Sequence, residues 1–161
     1  MGSNSDGPED QLRAAVEGLR GVLARGRMSA LYRTRPVSAV VQPDFLNLAV
    51  VGESRHPPEE LLAVAKALEW RAGRRSGPRW GPRPLDVDLL VWGDRVVRRP
   101  ELTLPHPRLA RRRFVLEPLA TLAPELRVPP GGRTVADLLA RLPAGERVTR
   151  VGWTGPPPAA W

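Results

Sequence analysis

Asp86 and Asp88 stand two residues apart in Leu85-Asp86-Val87-Asp88-Leu89-Leu90. In an extended segment the period of two sets both carboxylates on one face and turns Val87 and Leu89 to the other. Carboxylates this close raise each other's pKa unless a cation neutralises them, so without metal the pair is expected to cost the fold stability. Magnesium suits it, because that ion takes hard oxygen ligands and is commonly held by one or two carboxylates together with substrate phosphates. A lone pair of acids on a strand is ordinarily a solvated face. Here Arg79-Trp80-Gly81-Pro82-Arg83 runs directly into it, and Arg74 stands shortly upstream. Guanidinium forks beside a metal site are what a polyphosphate needs, since charge on the transferring group must be neutralised.

Further candidates lie on either side. His106 sits in a turn fixed by Pro105 and Pro107, and Arg112 lies in the run Arg111-Arg112-Arg113. A flat heteroaromatic ring would need stacking surfaces and a few hydrogen-bonding groups, for which Phe45, Asn47, Phe114 and Trp80 are of the right types. Phe45 and Asn47 share one strand face. The chain has only two Phe, and both adjoin these segments. His56 reads as an ordinary loop histidine before a helix.

The elements that must position these groups follow from hydrophobic spacing. Leu12, Val16, Leu19 and Leu23 predict a helix over Pro8 to Ala24, and Leu61, Leu62, Ala65 and Leu68 predict another over Pro58 to Trp70. Met28 to Tyr32, Phe45 to Val51 (closed by Gly52) and Leu85 to Trp92 read as strands, with Gly93-Asp94 turning the last into a hairpin with Arg95 to Val97. The segments at 34–36 and 38–43 and the basic stretch Gly73 to Pro84 read as loops. Leu102 to Leu104 is a short extended piece, Phe114 to Leu122 a short helix interrupted by Pro118, and Val135 to Leu142 a last helix. The predicted architecture is an α+β sandwich with a mainly antiparallel sheet. Residues 1–153 read as one domain, and 154–161 as a Pro-rich tail that frays.

Composition bounds the function. The 161 residues, 42% of them hydrophobic, suffice for one sizeable core. There are 19 Pro and 15 Gly, so long loops are expected. No apolar run approaches the length of a membrane span and the start lacks a signal-peptide pattern, so the cytoplasm is the expected compartment. Cysteine is absent, which excludes disulfides and thiolate chemistry. The net charge of +8 allows either a polyphosphate site or nucleic-acid binding. A nucleic-acid module does not explain two acids inside the basic segment, which would repel a phosphate backbone unless a metal intervened.

Taken together, Arg79-Trp80-Gly81-Pro82-Arg83-Pro84-Leu85-Asp86-Val87-Asp88-Leu89-Leu90 resembles the signature of the 6-hydroxymethyl-7,8-dihydropterin pyrophosphokinase family of folate biosynthesis. Gly2-Ser3-Asn4, Tyr32-Arg33-Thr34, Gln42 to Asn47, Leu104 to Pro107 and Phe114 to Leu119 occur in the family's order, and the likeness extends to about Leu142. It implies a ferredoxin-like α+β fold and transfer of pyrophosphate from ATP to the pterin's hydroxymethyl group, with release of AMP. By the same resemblance Asp86 and Asp88 would bind two magnesium ions. The pterin would stack between Phe45 and Phe114, with Asn47 and Thr34 hydrogen-bonding it and Trp80 beside it. Arg74 and Arg83 would engage ATP phosphates, His106 and Arg112 would lie on the nucleotide side, and Glu69 near the ATP site. The implied partners are these small molecules, without nucleic acid or membrane, and a monomer suffices.

The chain departs from the family pattern in three places. Arg35 stands where the family usually has proline, and the loop from Gly73 to Trp80 is slightly shorter than in some relatives. The N-terminal strand that precedes Gly-Ser-Asn in the family is missing, so the sequence is expected to continue upstream of Met1 by about eight residues, an ordinary strand's length. The alternative is a truncated, inactive relative.

Overall fold

The computed structural model describes residues 1–36, 42–75 and 83–161. In chain order they form β1 (Gly2–Ser3), α1 (Pro8–Leu19), β2 (Ala24–Met28), β3 (Leu31–Thr34), β4 (Phe45–Asn47), β5 (Val50–Glu53) and α2 (Pro58–Arg71). Then follow β6 (Val97–Arg98), β7 (Thr103–Leu104), a single 3-10 turn (Leu109–Arg111), α3 (Arg113–Ala120), β8 (Arg127–Val128), β9 (Arg133–Thr134), α4 (Val135–Ala140) and β10 (Val148–Val151). The fold is α+β with antiparallel sheets, as the sequence predicts.

The central sheet has the order β1-β4-β3-β10 with antiparallel pairs throughout. Where a missing N-terminal strand is expected, Gly2–Ser3 itself pairs with β4, Gly2 opposite Asn47 and Ser3 opposite Leu46. Gly2 also bridges Asp86, exchanging both backbone hydrogen bonds at 2.8 and 2.9 Å. Among the described residues only that bridge joins Leu85 to Trp92 to the sheet; the predicted strand and its hairpin do not form there, and the next hairpin in the chain is β6–β7. The physical reason is that β1 offers two residues to pair with, so the segment's other amide groups turn elsewhere.

The two apolar runs read as single strands each break in two, at Ser29–Ala30 and Leu48–Ala49. The breaks coincide: Ser29 N–H donates to the Ala49 carbonyl and the Ala49 N–H donates to Ser29 Oγ, both at 3.0 Å. Beyond this corner β2 pairs with β5 in a separate ladder.

Helix α1 starts as expected, with Gly7 at φ 65° as its N-cap, Pro8 in the first turn and Glu9 and Asp10 facing the positive end of the dipole. It stops at Leu19, four residues before Leu23. Leu12, Ala15 and Val16 of α1, Ala65 and Leu68 of α2, and Leu31, Leu46, Leu85 and Val87 form one core. A second core joins α3 and α4 through Leu116, Leu119, Val135 and Leu138, with Ala49 and Leu109. Thr134 and Asp137 form a capping box on α4. Pro118 does not interrupt α3, although it removes the amide that would reach the Phe114 carbonyl. Its ring is buried, which offsets that loss.

The C-terminal segment is tied down rather than frayed. Arg20 donates to the carbonyls of Ala159 and Ala160, the Trp161 indole donates to the Leu23 carbonyl at 3.1 Å, and Thr154 bonds to Glu9. Proline-rich chain leaves its carbonyls without internal donors, so a guanidinium is a natural partner.

The second core carries α3 and with it Phe114. Replacing fully buried Leu116 by Ala is expected to lower unfolding stability by about 2–5 kcal/mol, read as a lower denaturation midpoint in urea at constant slope.

Candidate active site

Register sets the site's geometry. Residues directly opposite across antiparallel pairs share a face. Asp86 faces Gly2, Gly2 faces Asn47, Asn47 faces Tyr32, and Thr34 faces Phe45. Asp86, Asn47, Thr34 and Phe45 therefore stand on one side of the sheet, while Leu46, Leu85 and Val87 enter the first core on the other. Helix α3 lies against β3, β4 and β10, so Phe114 belongs to the element that flanks this sheet. Gly2 must lack a side chain, since a Cβ there would lie 2.5 Å from Asn47 Oδ1.

The alternation expected around Asp86 and Asp88 holds without a regular strand. Leu85 and Val87 are buried, and the aspartate side chains are 28% and 35% exposed. Asp86 Oδ1 accepts from Arg74 Nη1 at 2.7 Å and its Oδ2 from Arg83 Nη1 at 2.9 Å. Asp88 Oδ2 accepts from Arg112 Nη1 at 2.9 Å, with His106 Nε2 3.7 Å away. Burial pushes the Asp86 carboxyl up, but Arg74 and Arg83 outweigh it and hold the group below the ordinary carboxylate range. At Asp86 the two arginines thus offset the cost expected of a half-buried carboxylate. Arg74 responds reciprocally: burial works against its charge, yet Asp86 and Glu69 raise its pKa. The His106 pKa is lowered by burial first; Asp88 opposes this and Arg112 and Arg108 reinforce it, which favours the neutral ring.

Toward the sheet, Asn47 Nδ2 donates to Thr34 Oγ1 at 2.9 Å, which joins two of the predicted ring-binding groups. The guanidinium of Arg112 lies 5.5 Å from the centre of the Phe114 ring, linking Asp88 to the other predicted stacking residue. Trp80 and Arg79 lie outside the described residues. His56 pairs with Glu60 on the surface, away from these groups.

Asn4 was not visible in the sequence, and Glu69 was placed near the site without its contacts. Asn4, fully buried, accepts from the Arg83 main-chain N–H through Oδ1 at 2.8 Å and donates through Nδ2 to Gln42 Oε1 at 2.9 Å and the Pro43 carbonyl at 3.3 Å. It fastens Arg83 to the segment that leads into β4, and its place in Gly2-Ser3-Asn4 was the only signal. Glu69, expected near the ATP site, has its side chain 4% exposed and in contact with Arg74, Lys66 and the Val87 N–H.

The 7,8-dihydro-6-hydroxymethylpterin-pyrophosphokinase family matches residues 1–124, a span that holds every candidate site residue. The chain is 39% identical over 146 residues to the 2-amino-4-hydroxy-6-hydroxymethyldihydropteridine pyrophosphokinase of Pseudomonas aeruginosa, covering 89% of each. It is 42% identical over 155 residues to the protein of that name from Methylorubrum extorquens, covering 92% of this chain and 95% of that one. The mitochondrial folate synthesis bifunctional protein of Arabidopsis thaliana is 44% identical over 123 residues, which are 76% of this chain and 22% of the plant protein.

The paired Asp86 makes a pH-dependent contribution to stability. Its folded pKa lies below the unfolded value, so the contribution is present above about pH 4 and is lost as pH falls through the folded pKa. Asp86→Asn is therefore expected to lower stability at pH 7 by about 1–3 kcal/mol, or roughly 2–10 °C in Tm. Thermal scans of both proteins from pH 7 to pH 2.5 should show that difference shrinking below about pH 4.

Proposed function

This chain belongs to the 7,8-dihydro-6-hydroxymethylpterin-pyrophosphokinase family, and from that premise we propose that it transfers pyrophosphate from ATP to 6-hydroxymethyl-7,8-dihydropterin in folate biosynthesis. The observation that carries the reading is the single sheet face shared by a neutralised aspartate, Asp86, and the groups Thr34, Asn47 and Phe45. One end of that face suits a polyphosphate and the other a flat polar ring.

In the reaction the pterin hydroxymethyl oxygen attacks the β-phosphorus in line. A new oxygen–phosphorus bond forms, the bond between the β-phosphorus and the bridging oxygen to the α-phosphate breaks, AMP leaves with that oxygen, and the hydroxyl proton is released to solvent. The protein supplies position and charge rather than a covalent intermediate. Thr34 and Asn47 hydrogen-bond the pterin and Phe45 and Phe114 stack on it, with Trp80 a further aromatic candidate by residue type alone. Arg74 and Arg83 bear on the phosphates, and His106 and Arg112 lie on the nucleotide side.

Asp86 and Asp88 fit magnesium: both are hard-oxygen donors, partly exposed on one side of their segment, and ionised Asp86 already sits among cations. Two ions held there with the ATP phosphates would offset the charge that builds on the transferring group. The reaction needs neither nucleic acid nor a partner subunit. It belongs in the cytoplasm, where ATP is supplied. Among the described residues no helix is long and apolar enough to cross a membrane.

Measuring AMP released from ATP with and without the pterin tests the reading; AMP formation that ignores the pterin would overturn it. Asp86→Ala and Asp88→Ala are each expected to lower pterin-dependent turnover by about 100-fold or more, as removal of electrostatic stabilisation does elsewhere, with the circular dichroism spectrum retained. Unchanged magnesium-dependent turnover in both would remove the metal assignment.

Arg83→Ala should lower kcat more than it raises KM for ATP, because a charge-neutralising contact is strongest where charge develops. A raised KM with normal kcat would make Arg83 a uniform binding contact instead.

A further inference from the structure

Glu69 occupies the last turn of α2, where the helix dipole disfavours a carboxylate, and it is buried as well. Its partners explain what it does there. Glu69 Oε1 accepts the Val87 N–H at 2.9 Å and pairs with Arg74 Nη1 at 2.5 Å, while Oε2 pairs with Lys66 Nζ at 3.0 Å. Val87 is the residue between the two aspartates. Because Asp86 turns both its backbone groups to Gly2, the Val87 amide points to the opposite edge of the segment, where the Glu69 carboxylate receives it in place of a neighbouring strand.

The second contact matters for chemistry. Arg74 Nη1 touches two carboxylates at once, Glu69 and Asp86, and the Arg74 main-chain N–H donates to the Glu69 carbonyl at 3.0 Å. A cation arriving on Asp86 displaces only one of these partners.

We propose that Glu69 is a positioning residue of the transfer reaction: its buried carboxylate fixes the peptide between Asp86 and Asp88 and anchors Arg74 when a divalent cation takes Asp86. Held at Glu69, Arg74 remains beside the site with its other nitrogens available to phosphate. Without that anchor Asp86 becomes the guanidinium's remaining carboxylate partner, and Arg74 competes with the cation for it. The proposal rests on the pyrophosphate-transfer reading above.

Glu69→Gln separates the two roles, because the amide oxygen still accepts the Val87 N–H while the negative charge is lost. Hydrogen exchange should show the Val87 amide still protected in E69Q. Titration of magnesium into protein with a non-hydrolysable ATP analogue, followed by calorimetry, should show half-saturation at about 10-fold higher magnesium, in line with the 10–100-fold effects of residues that orient metal ligands. Turnover should fall by about the same factor with KM for the pterin within about two-fold. In an Arg74→Ala background the added effect of E69Q on magnesium should vanish, since the two residues act as one unit.

An E69Q protein with wild-type magnesium dependence overturns the proposal, as does an equal shift in the presence and absence of Arg74. Wild-type protein that binds magnesium with the analogue but makes no pterin-dependent AMP would instead overturn the proposed function. The calorimetric comparison would still decide the role of Glu69.

Discussion

The site depends on neutralising one half-buried carboxylate. Asp86 is held against the sheet by its backbone bridge to Gly2, on the face opposite buried Leu85 and Val87, and its side chain is only 28% exposed, so its charge cannot simply be left to water. Arg74 and Arg83 both reach it from upstream in the chain, one from just beyond the end of α2 and one from three residues before it. Each is itself held: Arg74 by Glu69, and Arg83 through its main chain by Asn4. The local structure follows from finding every member of this cluster a second partner, as buried polar networks require.

The same bridge carries the geometry sideways. Gly2 touches Asp86 on one edge and Asn47 on the other, with no room for a methyl group between its backbone and the Asn47 amide. A strand of two residues thereby sets the spacing between the carboxylate end and the proposed ring-binding end of one face. On the far side Arg112 makes a second link, because it bonds to Asp88 and lies near the Phe114 ring. In the proposed reaction a shift at either half of the site would reach the other through one or two contacts.

The sequence disclosed those features that depend on residue type and short spacing. Leu85 and Val87 against Asp86 and Asp88 kept their period of two even though no ladder forms, because burial and not pairing enforces the alternation. The two long helices were legible for the same reason, from Leu12 and Val16 and from Leu61 and Leu68. Tertiary contacts between distant backbone groups were not. The corner where Ser29 meets Ala49 splits two strands without any local break in hydrophobicity, and the Pro-rich end reads as loose because its anchor, Arg20, lies far away in sequence. Glu69 could be placed near the site, but its main partner is a backbone amide 18 residues on, which leaves no mark on residue type.

The arginine-rich composition gains a physical meaning at this point. Arg74, Arg83 and Arg112 each bear on a carboxylate in the ligand-free protein, so they contribute little open positive field there. In the proposed reaction, binding a polyphosphate with its cations would be an exchange: carboxylates would trade guanidinium for metal, and guanidinium would trade carboxylate for phosphate. The number of close opposite-charge contacts would then change little, and the net gain would lie in the arrangement where both ligands are present. A guanidinium suits this better than an ammonium, because it offers several donors in a fixed plane and can keep one partner while releasing another. Arg74, shared through a single nitrogen by Glu69 and Asp86, is already arranged for that exchange.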